Sequence, residues 1–112
     1  MSYLRFNYCS QALSNYVDVS IVYPTESFSY FPPDQPRHHI APGTPEKAQY
    51  KPGMKFQTIW LLQGGEADDM YMFRNTNLER YARENCVMIV CPRIPNSFGV
   101  DTAYGVEYSA FI

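Results

Sequence analysis

The chain has 112 residues, of which 46% are hydrophobic and 16% aromatic, and its formal net charge is −2. This composition supports one domain with a hydrophobic core and excludes a chain that is disordered by composition. The slightly acidic balance argues against nucleic-acid binding and against a polybasic membrane patch, and no apolar stretch approaches the roughly 20 residues of a membrane helix.

Residues 1–23 predict an antiparallel hairpin. The N-terminal MSYLRFNY has no apolar signal-peptide region and is typical of a strand. Tyr3–Tyr8 and Tyr16–Tyr23 alternate apolar and polar side chains, and the polar Ser10–Asn15 supplies a turn between them. Pro24 ends the second strand because it has no N–H for a ladder. One face of that strand is predicted to carry Val17, Val19, Ile21 and Tyr23, and the other Asp18, Ser20 and Val22.

Residues 24–53 contain most of the nine prolines and show poor periodicity, which predicts a long loop. A disordered linker between two domains is the alternative, but neither flank is long enough to fold alone. His38 and His39 in this loop suggest a metal or triad site. Adjacent side chains point in different directions unless the backbone bends, so loop packing or solvent exposure is favoured.

The next segments predict a strand, a helix and a strand. Phe56–Leu62 ends in an unbroken apolar run, typical of a strand covered on both faces. In TNLERYARE, Thr76 and Glu79 have the spacing of a capping box, and Asn85 is suited to close the helix in the left-handed conformation. Cys86–Cys91 predicts a second buried strand. Two apolar strands joined by a helix indicate a parallel pair with a right-handed crossover, so the predicted fold class is α/β. The final VEYSAFI has a pattern that can begin another helix.

The three cysteines include no C-x-x-C motif. If Cys86–Cys91 is strand throughout, the side chains at its two ends lie on opposite faces, which argues against a disulfide between them. Free thiols packed as small hydrophobes in a reducing compartment are the favoured interpretation, which predicts a cytoplasmic protein. A redox or metal role is the alternative.

An ordered series of motifs supports a family resemblance. It comprises LQG at 62–64, TNLER at 76–80, an apolar strand ending at Pro92, NSF at 96–98 and DTAYG at 101–105. This series resembles the N-terminal half of the α/β-hydrolase esterases that include S-formylglutathione hydrolases and tributyrin esterases. The resemblance implies a single partial domain over 1–112, with a sheet in the order 1-2-4-3-5.

The resemblance also implies an oxyanion-binding turn. Gly65 is the candidate N–H donor and Gly64 shapes the turn, while Gln63 stands where the family usually has His. Gln63, Ser97 and Phe98 are candidate substrate contacts, with hydrogen bonding within the loop as the more ordinary role for Ser97. Neither a metal nor a cofactor is expected. The family's Gly-x-Ser-x-Gly nucleophile elbow is absent from these residues, and the catalytic acid and His would follow it. The alternative for the two glycines is a simple tight turn.

Two further groups admit competing interpretations. Glu66, Asp68 and Asp69 suggest a cation site, but a solvated helix start favoured by the helix dipole is the more ordinary explanation. The aromatic side chains of Tyr71, Phe73 and Phe98 are placed to line an acyl pocket or simply to pack.

The implied sheet leaves the strand at Phe56–Leu62 as an open apolar edge, which natural proteins avoid. We therefore expect a fragment, or a chain that pairs this edge in a homodimer or with a complementary C-terminal half. The predicted function is the N-terminal portion of a serine carboxylesterase for small esters or thioesters, inactive alone. The alternative is a non-catalytic α/β protein that binds a partner or ligand through the edge.

Overall fold

The computed structural model describes residues 1–25, 51, 53–65, 67–94, 97–105 and 107–112. Most of the predicted proline-rich loop, with its two histidines, lies outside these residues, as do Glu66 and Asn96. The described elements are β1 (Ser2–Ser10), β2 (Asn15–Tyr23), β3 (Thr58–Trp60), α1 (Tyr71–Asn75), α2 (Leu78–Asn85), β4 (Met88–Pro92) and α3 (Tyr108–Phe111).

The four strands form one mixed sheet in the order β1-β2-β4-β3. β1 and β2 are the predicted antiparallel hairpin, with Ser10 opposite Asn15 next to the turn. β4 pairs antiparallel with β2 and parallel with β3, where Ile59 lies opposite Ile89. This order matches the first four strands of the implied sheet, and the prediction of an α/β fold is confirmed.

The core lies on the sheet face that is covered by α2. The partly buried side chains of Phe73 and Leu78 pack against it, so packing is the correct interpretation for Phe73. Burial does not alternate along the whole of β2, because Val17 and Val19 are buried on one face and Ser20 and Val22 on the other. The helices cover the face of Ser20 and Val22, which are 0% and 1% exposed. That face is buried because β2 is an inner strand and the crossover packs over it. The buried cluster comprises Val22, Ala82, Ile89 and Cys91.

β3 is shorter and more exposed than predicted. Its ladder extends beyond the strand limits, because Met88 N–H donates to the Gln57 carbonyl at 2.9 Å and Leu61 N–H to the Val90 carbonyl at 2.9 Å. Its Trp60 side chain is 55% exposed, so the prediction of a strand covered on both faces is wrong. The reason is its position: β3 ends the sheet, and no strand within the described ranges pairs with its outer side. The predicted open edge is confirmed.

The predicted N-terminus of α2 is wrong in detail. Its N-cap is Asn77, which makes no side-chain capping bond, so Thr76 and Glu79 do not form a capping box. The Thr76 hydroxyl accepts a hydrogen bond from Leu78 N–H at 3.2 Å and donates one to the Met72 carbonyl at 2.6 Å. Thr76 therefore links α2 to α1, a helix that was not predicted. The bond to the Met72 carbonyl holds the Thr76 side chain against α1, so Thr76 does not act as the N-cap of α2.

The predicted C-terminus of α2 is shifted by one residue. Cys86, with φ 53° and ψ 43°, takes the left-handed conformation predicted for Asn85. The Asn85 amide instead donates to the Tyr81 carbonyl at 2.9 Å, which keeps Asn85 within the last turn. β4 begins at Met88, so Cys86 is not a strand residue. The alternation of side chains along a strand therefore does not determine how Cys86 and Cys91 are placed relative to each other.

The remaining predictions concern the termini and the thiols. The last residues do form a short helix, α3. All three cysteines are free; Cys86 and Cys91 are buried, whereas Cys9 is exposed and does not pack as a core side chain. None of the described helices is long and apolar enough to cross a membrane.

Candidate functional site

The carboxyl ends of β3 and β4 lie at the same edge of the sheet because the two strands are parallel. In open α/β sheets, ligand sites form outside this edge. Residues 61–65 leave the sheet here after β3, and Arg93 and Ile94 leave it after β4. The two segments in which the sequence predicts site residues therefore begin side by side.

Gln63 connects these two segments. Its side-chain Nε2 donates a hydrogen bond to the carbonyl oxygen of Ile94, whose side chain is buried. The other amide atom, Gln63 Oε1, is buried and has no hydrogen-bond partner among the described residues. Gln63 thus holds the start of the glycine turn, and a contact between Gln63 and substrate stays a prediction.

Gly64 and Gly65 are exposed in the turn that follows. Ala67 N–H donates to the Gly64 carbonyl at 3.4 Å across the turn. Gly64 does not have a left-handed φ, and a Cβ built there meets no atom within 4 Å, so this backbone would accept an alanine. Within the described residues, neither glycine N–H donates a hydrogen bond. Among the described residues, the turn therefore leaves two N–H donors unpaired at the carboxyl edge of the parallel pair.

Ser97 and Phe98 lie in a tight turn in the loop after β4. The Ser97 carbonyl accepts from Val100 N–H at 3.1 Å, and the Ser97 hydroxyl accepts from Gly99 N–H at 3.3 Å. Phe98 and Gly99 have φ of 55° and 70°, the signs typical of a type I′ turn. The Phe98 ring is 89% exposed. Strained positive-φ residues concentrate at functional sites, but the described contacts do not bring Ser97 or Phe98 to the glycine turn.

The two described carboxylates after the glycines differ in environment. Asp68 precedes α1, accepts from Met70 N–H at 3.1 Å and pairs with Arg74 at 2.8 Å. Burial acts to raise the pKa of Asp68, but the hydrogen bond and charge of Arg74 outweigh it and the pKa lies below its ordinary value. Asp69 is 1% exposed. The interpretation as a solvated helix start therefore fits Asp68 but is wrong for Asp69.

Asp69 belongs to a group that we call the Asp69 cluster: Tyr3, Arg5, Ser20 and Asp69. The Ser20 hydroxyl donates to Asp69 Oδ2 at 2.5 Å, and Arg5 Nε lies 3.5 Å from the same oxygen. Tyr3 Oη lies 2.9 Å from Ser20 Oγ. The charge of Asp69, and after it that of Asp18, raises the pKa of Arg5. This cluster joins the hairpin to the segment that contains the glycine turn.

The cluster was not predictable from local sequence because Ser20 and Asp69 are 49 residues apart. The sequence offered one sign of it, the polar Ser20 among the apolar residues in the second half of β2. No group of three or more His, Cys, Asp or Glu in the described ranges is arranged to hold a metal ion. A surface cavity of about 300 Å³ lies beside α2, lined in part by Phe73, Thr76 and Arg80. Of the aromatic residues considered for an acyl pocket, only Phe73 lines it, and none of the residues of the glycine turn does.

Comparison with known proteins shows the fold. No protein-family model and no curated protein sequence matches the chain. The substrate-bound structure of FphF, a fluorophosphonate-binding serine hydrolase of Staphylococcus aureus, matches with a TM-score of 0.70 and 26% identity over 98% of this chain. The apoenzyme of the S-formylglutathione hydrolase FrmB, also from Staphylococcus aureus, matches with a TM-score of 0.62 and 27% identity over 96% of this chain. The chain has the fold of a partial α/β-hydrolase domain and is similar to these two esterase-family enzymes.

This partial hydrolase domain covers 36% of the FphF chain and 35% of the FrmB chain, about a third of each. It contains the turn after the third strand, where α/β-hydrolases place one oxyanion-hole N–H. Its residues include no Gly-x-Ser-x-Gly elbow.

Proposed function

We propose that this chain is the N-terminal portion of a serine carboxylesterase that hydrolyses small esters or thioesters, and that it contributes one donor to the oxyanion hole. The supporting observation is the exposed Gly65 in the turn after β3, whose N–H is unpaired among the described residues. FphF is described as a fluorophosphonate-binding serine hydrolase and FrmB as an S-formylglutathione hydrolase, which supports an acyl substrate.

The chemistry of acyl transfer explains the need for such a turn. Attack on the carbonyl carbon places negative charge on the carbonyl oxygen, and preorganised N–H donors stabilise that charge by about 3–4 kcal/mol each. One donor comes from the residue after the nucleophile and the other from the turn after the third strand. Gly65 N–H would be this second donor, Gly64 would shape the turn, and the Gln63–Ile94 bond would restrict its movement.

The remaining parts of the site must come from outside the 112 residues, whether from the same polypeptide or from a complementary half. They comprise the Ser nucleophile, its His base and the acid that orients the base. Gln63, Ser97 and Phe98 are our candidates for substrate contacts. Neither a metal nor a cofactor is required for this reaction. A cytoplasmic location stays a prediction that rests on the free thiols.

Two substitutions of Gly65 distinguish the effect of its N–H donor from the effect of changing the turn. In a polypeptide or complex that includes the elbow, Gly65→Pro removes the N–H and should lower kcat by about 100- to 1,000-fold while KM changes little. Gly65→Ala keeps the N–H and should lose far less. An unchanged kcat in Gly65→Pro would exclude the oxyanion role. The 112-residue chain alone should show no fluorophosphonate-sensitive hydrolysis of p-nitrophenyl acetate, and such turnover would contradict the missing nucleophile.

The second candidate function is a non-catalytic domain that binds a partner through the edge of β3. Gln57 O and Leu61 N bond to β4, and the direction of backbone groups alternates along a strand. The N–H and C=O groups of Thr58 and Trp60 therefore point away from β4, as in sheets that accept an added strand. A second copy or a complementary half would satisfy them. A reading frame that stops at Ile112, with no partner that supplies an elbow, would favour this candidate.

A further inference from the structure

We infer that Asp69 is a positioning residue for the glycine turn, and that its buried carboxylate fixes the far end of residues 61–69 to β2. The catalytic consequence rests on the proposed esterase function, whereas the positioning itself does not. The inference depends on three observations: where the two ends of this segment are attached, how deeply Asp69 is buried, and which hydrogen bond it makes.

The segment leaves the sheet and returns to it at neighbouring points. Leu61 N–H bonds to the Val90 carbonyl in β4 at 2.9 Å, which fixes the first end. Asp69 accepts the Ser20 hydroxyl from β2, which fixes the second end. Ser20 lies opposite Cys91, the residue after Val90, and paired strands are about 4.8 Å apart. Gly64 and Gly65 lie between these two attachments, so the stretch that contains the glycines is fixed to the sheet on both sides.

Stability alone does not explain a carboxylate at this position. Asp69 is 1% exposed, and its Oδ1 has no hydrogen-bond partner among the described residues. Burying a partly satisfied charge is costly, and an apolar side chain of similar volume is often as good or better for stability. A short directional bond does what an apolar contact does not, because it fixes the chain at one point and prevents sliding. Asp69 therefore serves to hold the turn in place.

Three other residues of the Asp69 cluster surround this bond. The Ser20 side chain is fully buried, and its oxygen lies 2.9 Å from Tyr3 Oη, while the Tyr3 hydroxyl also donates to Met70 Sδ at 2.8 Å. Arg5 Nε lies 3.5 Å from Asp69 Oδ2 and offsets the charge from the exposed side of β1. Ser20→Ala removes the bond and leaves the carboxylate, whereas Asp69→Leu removes the acceptor and the charge and keeps a side chain of similar size.

The experiment measures backbone order in the 112-residue chain by ¹⁵N relaxation, so it requires no turnover. In the wild type we expect order parameters near 0.85 for Gly64 and Gly65, the value of rigid backbone. In Asp69→Leu and in Ser20→Ala we expect them to fall below about 0.6, while α2 and β4 stay rigid. The matched control is Asp68→Asn, which changes the adjacent carboxylate that pairs with Arg74 and should leave the glycines ordered.

Each outcome decides the inference. Unchanged glycine order in both variants would overturn it, and so would a loss of order that spreads equally through α2 and β4, because the cluster would then only stabilise the fold. If Asp69→Leu does not fold, Ser20→Ala still tests the inference. In the complete esterase, Asp69→Leu should lower kcat at least tenfold with KM within twofold. Disordered glycines with unchanged kcat would confirm positioning and contradict the proposed function.

Discussion

The Gln63 side-chain amide donates a hydrogen bond to the backbone carbonyl of Ile94, and this bond joins the segment after β3 to the segment after β4. The ladder between the two strands extends only to Leu61 and Val90. Beyond that point, the bond from the Gln63 side chain to Ile94 connects the two segments, so the position of the glycine turn depends on this side chain.

The first prediction concerns this bond. Gln63→Glu places a carboxylate oxygen against the Ile94 carbonyl and should lower the free energy of unfolding by about 1–3 kcal/mol at neutral pH. Gln63→Met removes the donor but also the unpaired Oε1, so its cost should be smaller. Urea denaturation of the wild type and the two variants ranks their free energies of unfolding. If Gln63→Met lowers the free energy of unfolding as much as Gln63→Glu or more, the unpaired Oε1 does not destabilise the wild type.

The second prediction concerns pH. The hydrogen bond from Asn7, with the Arg5 charge acting against partial burial, lowers the pKa of Asp18 below its ordinary value of 3.8. Since this pKa is lower in the folded state, ionised Asp18 stabilises the fold above pH 3.8, and the stabilisation is lost as the pH falls through and below that value. Asp18→Asn should therefore be less stable than the wild type at neutral pH.

Urea midpoints measured between about pH 6 and pH 2 test this linkage, and the two curves should converge at the acid end. Asp68, whose pKa is also lowered, is present in both proteins, so the comparison isolates Asp18. Parallel curves would mean that Asp18 has the same pKa in the folded and unfolded chains.

The third prediction concerns thiol reactivity. Burial, and after it the charge of Asp69, raises the pKa of Cys91 to about 11, and burial also raises that of Cys86. At about pH 8 only about one Cys91 in a thousand is thiolate, and the thiolate is the reacting form. Cys9 is exposed. The folded chain should react rapidly with dithionitrobenzoate at Cys9 alone, and at all three cysteines after denaturation.

Cys9→Ser is the control for this measurement and should remove the rapid phase. A rapid phase that persists in Cys9→Ser would show that Cys86 or Cys91 is reached in the folded chain, and that the core beside Ala82 opens readily.

The fourth prediction concerns the open edge. Thr58→Pro removes an outward-facing N–H without touching the bonds to β4, and Trp60→Lys places a charge on the exposed edge. Both changes should weaken association of the chain, either with itself or with a complementary half, by tenfold or more in sedimentation experiments. Arg83→Ala, on the exposed side of α2, should have no effect. Association that is unaffected by the two edge changes would place the interface elsewhere.

Periodicity was sufficient to predict the hairpin and the strand–helix–strand order because both are local patterns. The burial of β3 was not predictable in the same way, since it depends on what lies beside the strand, and Ile59 is 44% exposed at the sheet edge. α1 was missed because five residues, YMFRN, are too few to show a helical period. The left-handed Cys86 was missed because a cysteine has no particular preference for that conformation, whereas Asn85 does.

The candidate site shows the same limit. LQGG after an apolar strand correctly located a turn at the carboxyl edge of the parallel pair. The residues that hold this turn come from distant parts of the chain: Ile94 lies 31 residues after Gln63, and Ser20 lies 49 residues before Asp69. Such pairs depend on tertiary packing and leave no pattern in a single sequence. The oxyanion role of Gly65 remains a prediction.

The strand order has a consequence for biosynthesis. β4 is the last of the four strands in the chain, yet it lies between β2 and β3. When a ribosome has completed β3, the hairpin can already exist, but β3 has no neighbour until Met88–Pro92 emerges and inserts between them. During that interval, Ile59 and Trp60 are exposed on a nascent polypeptide and offer a contact to chaperones or to other unfinished chains. Slowing translation between residues 61 and 88 should therefore lower the yield of folded protein.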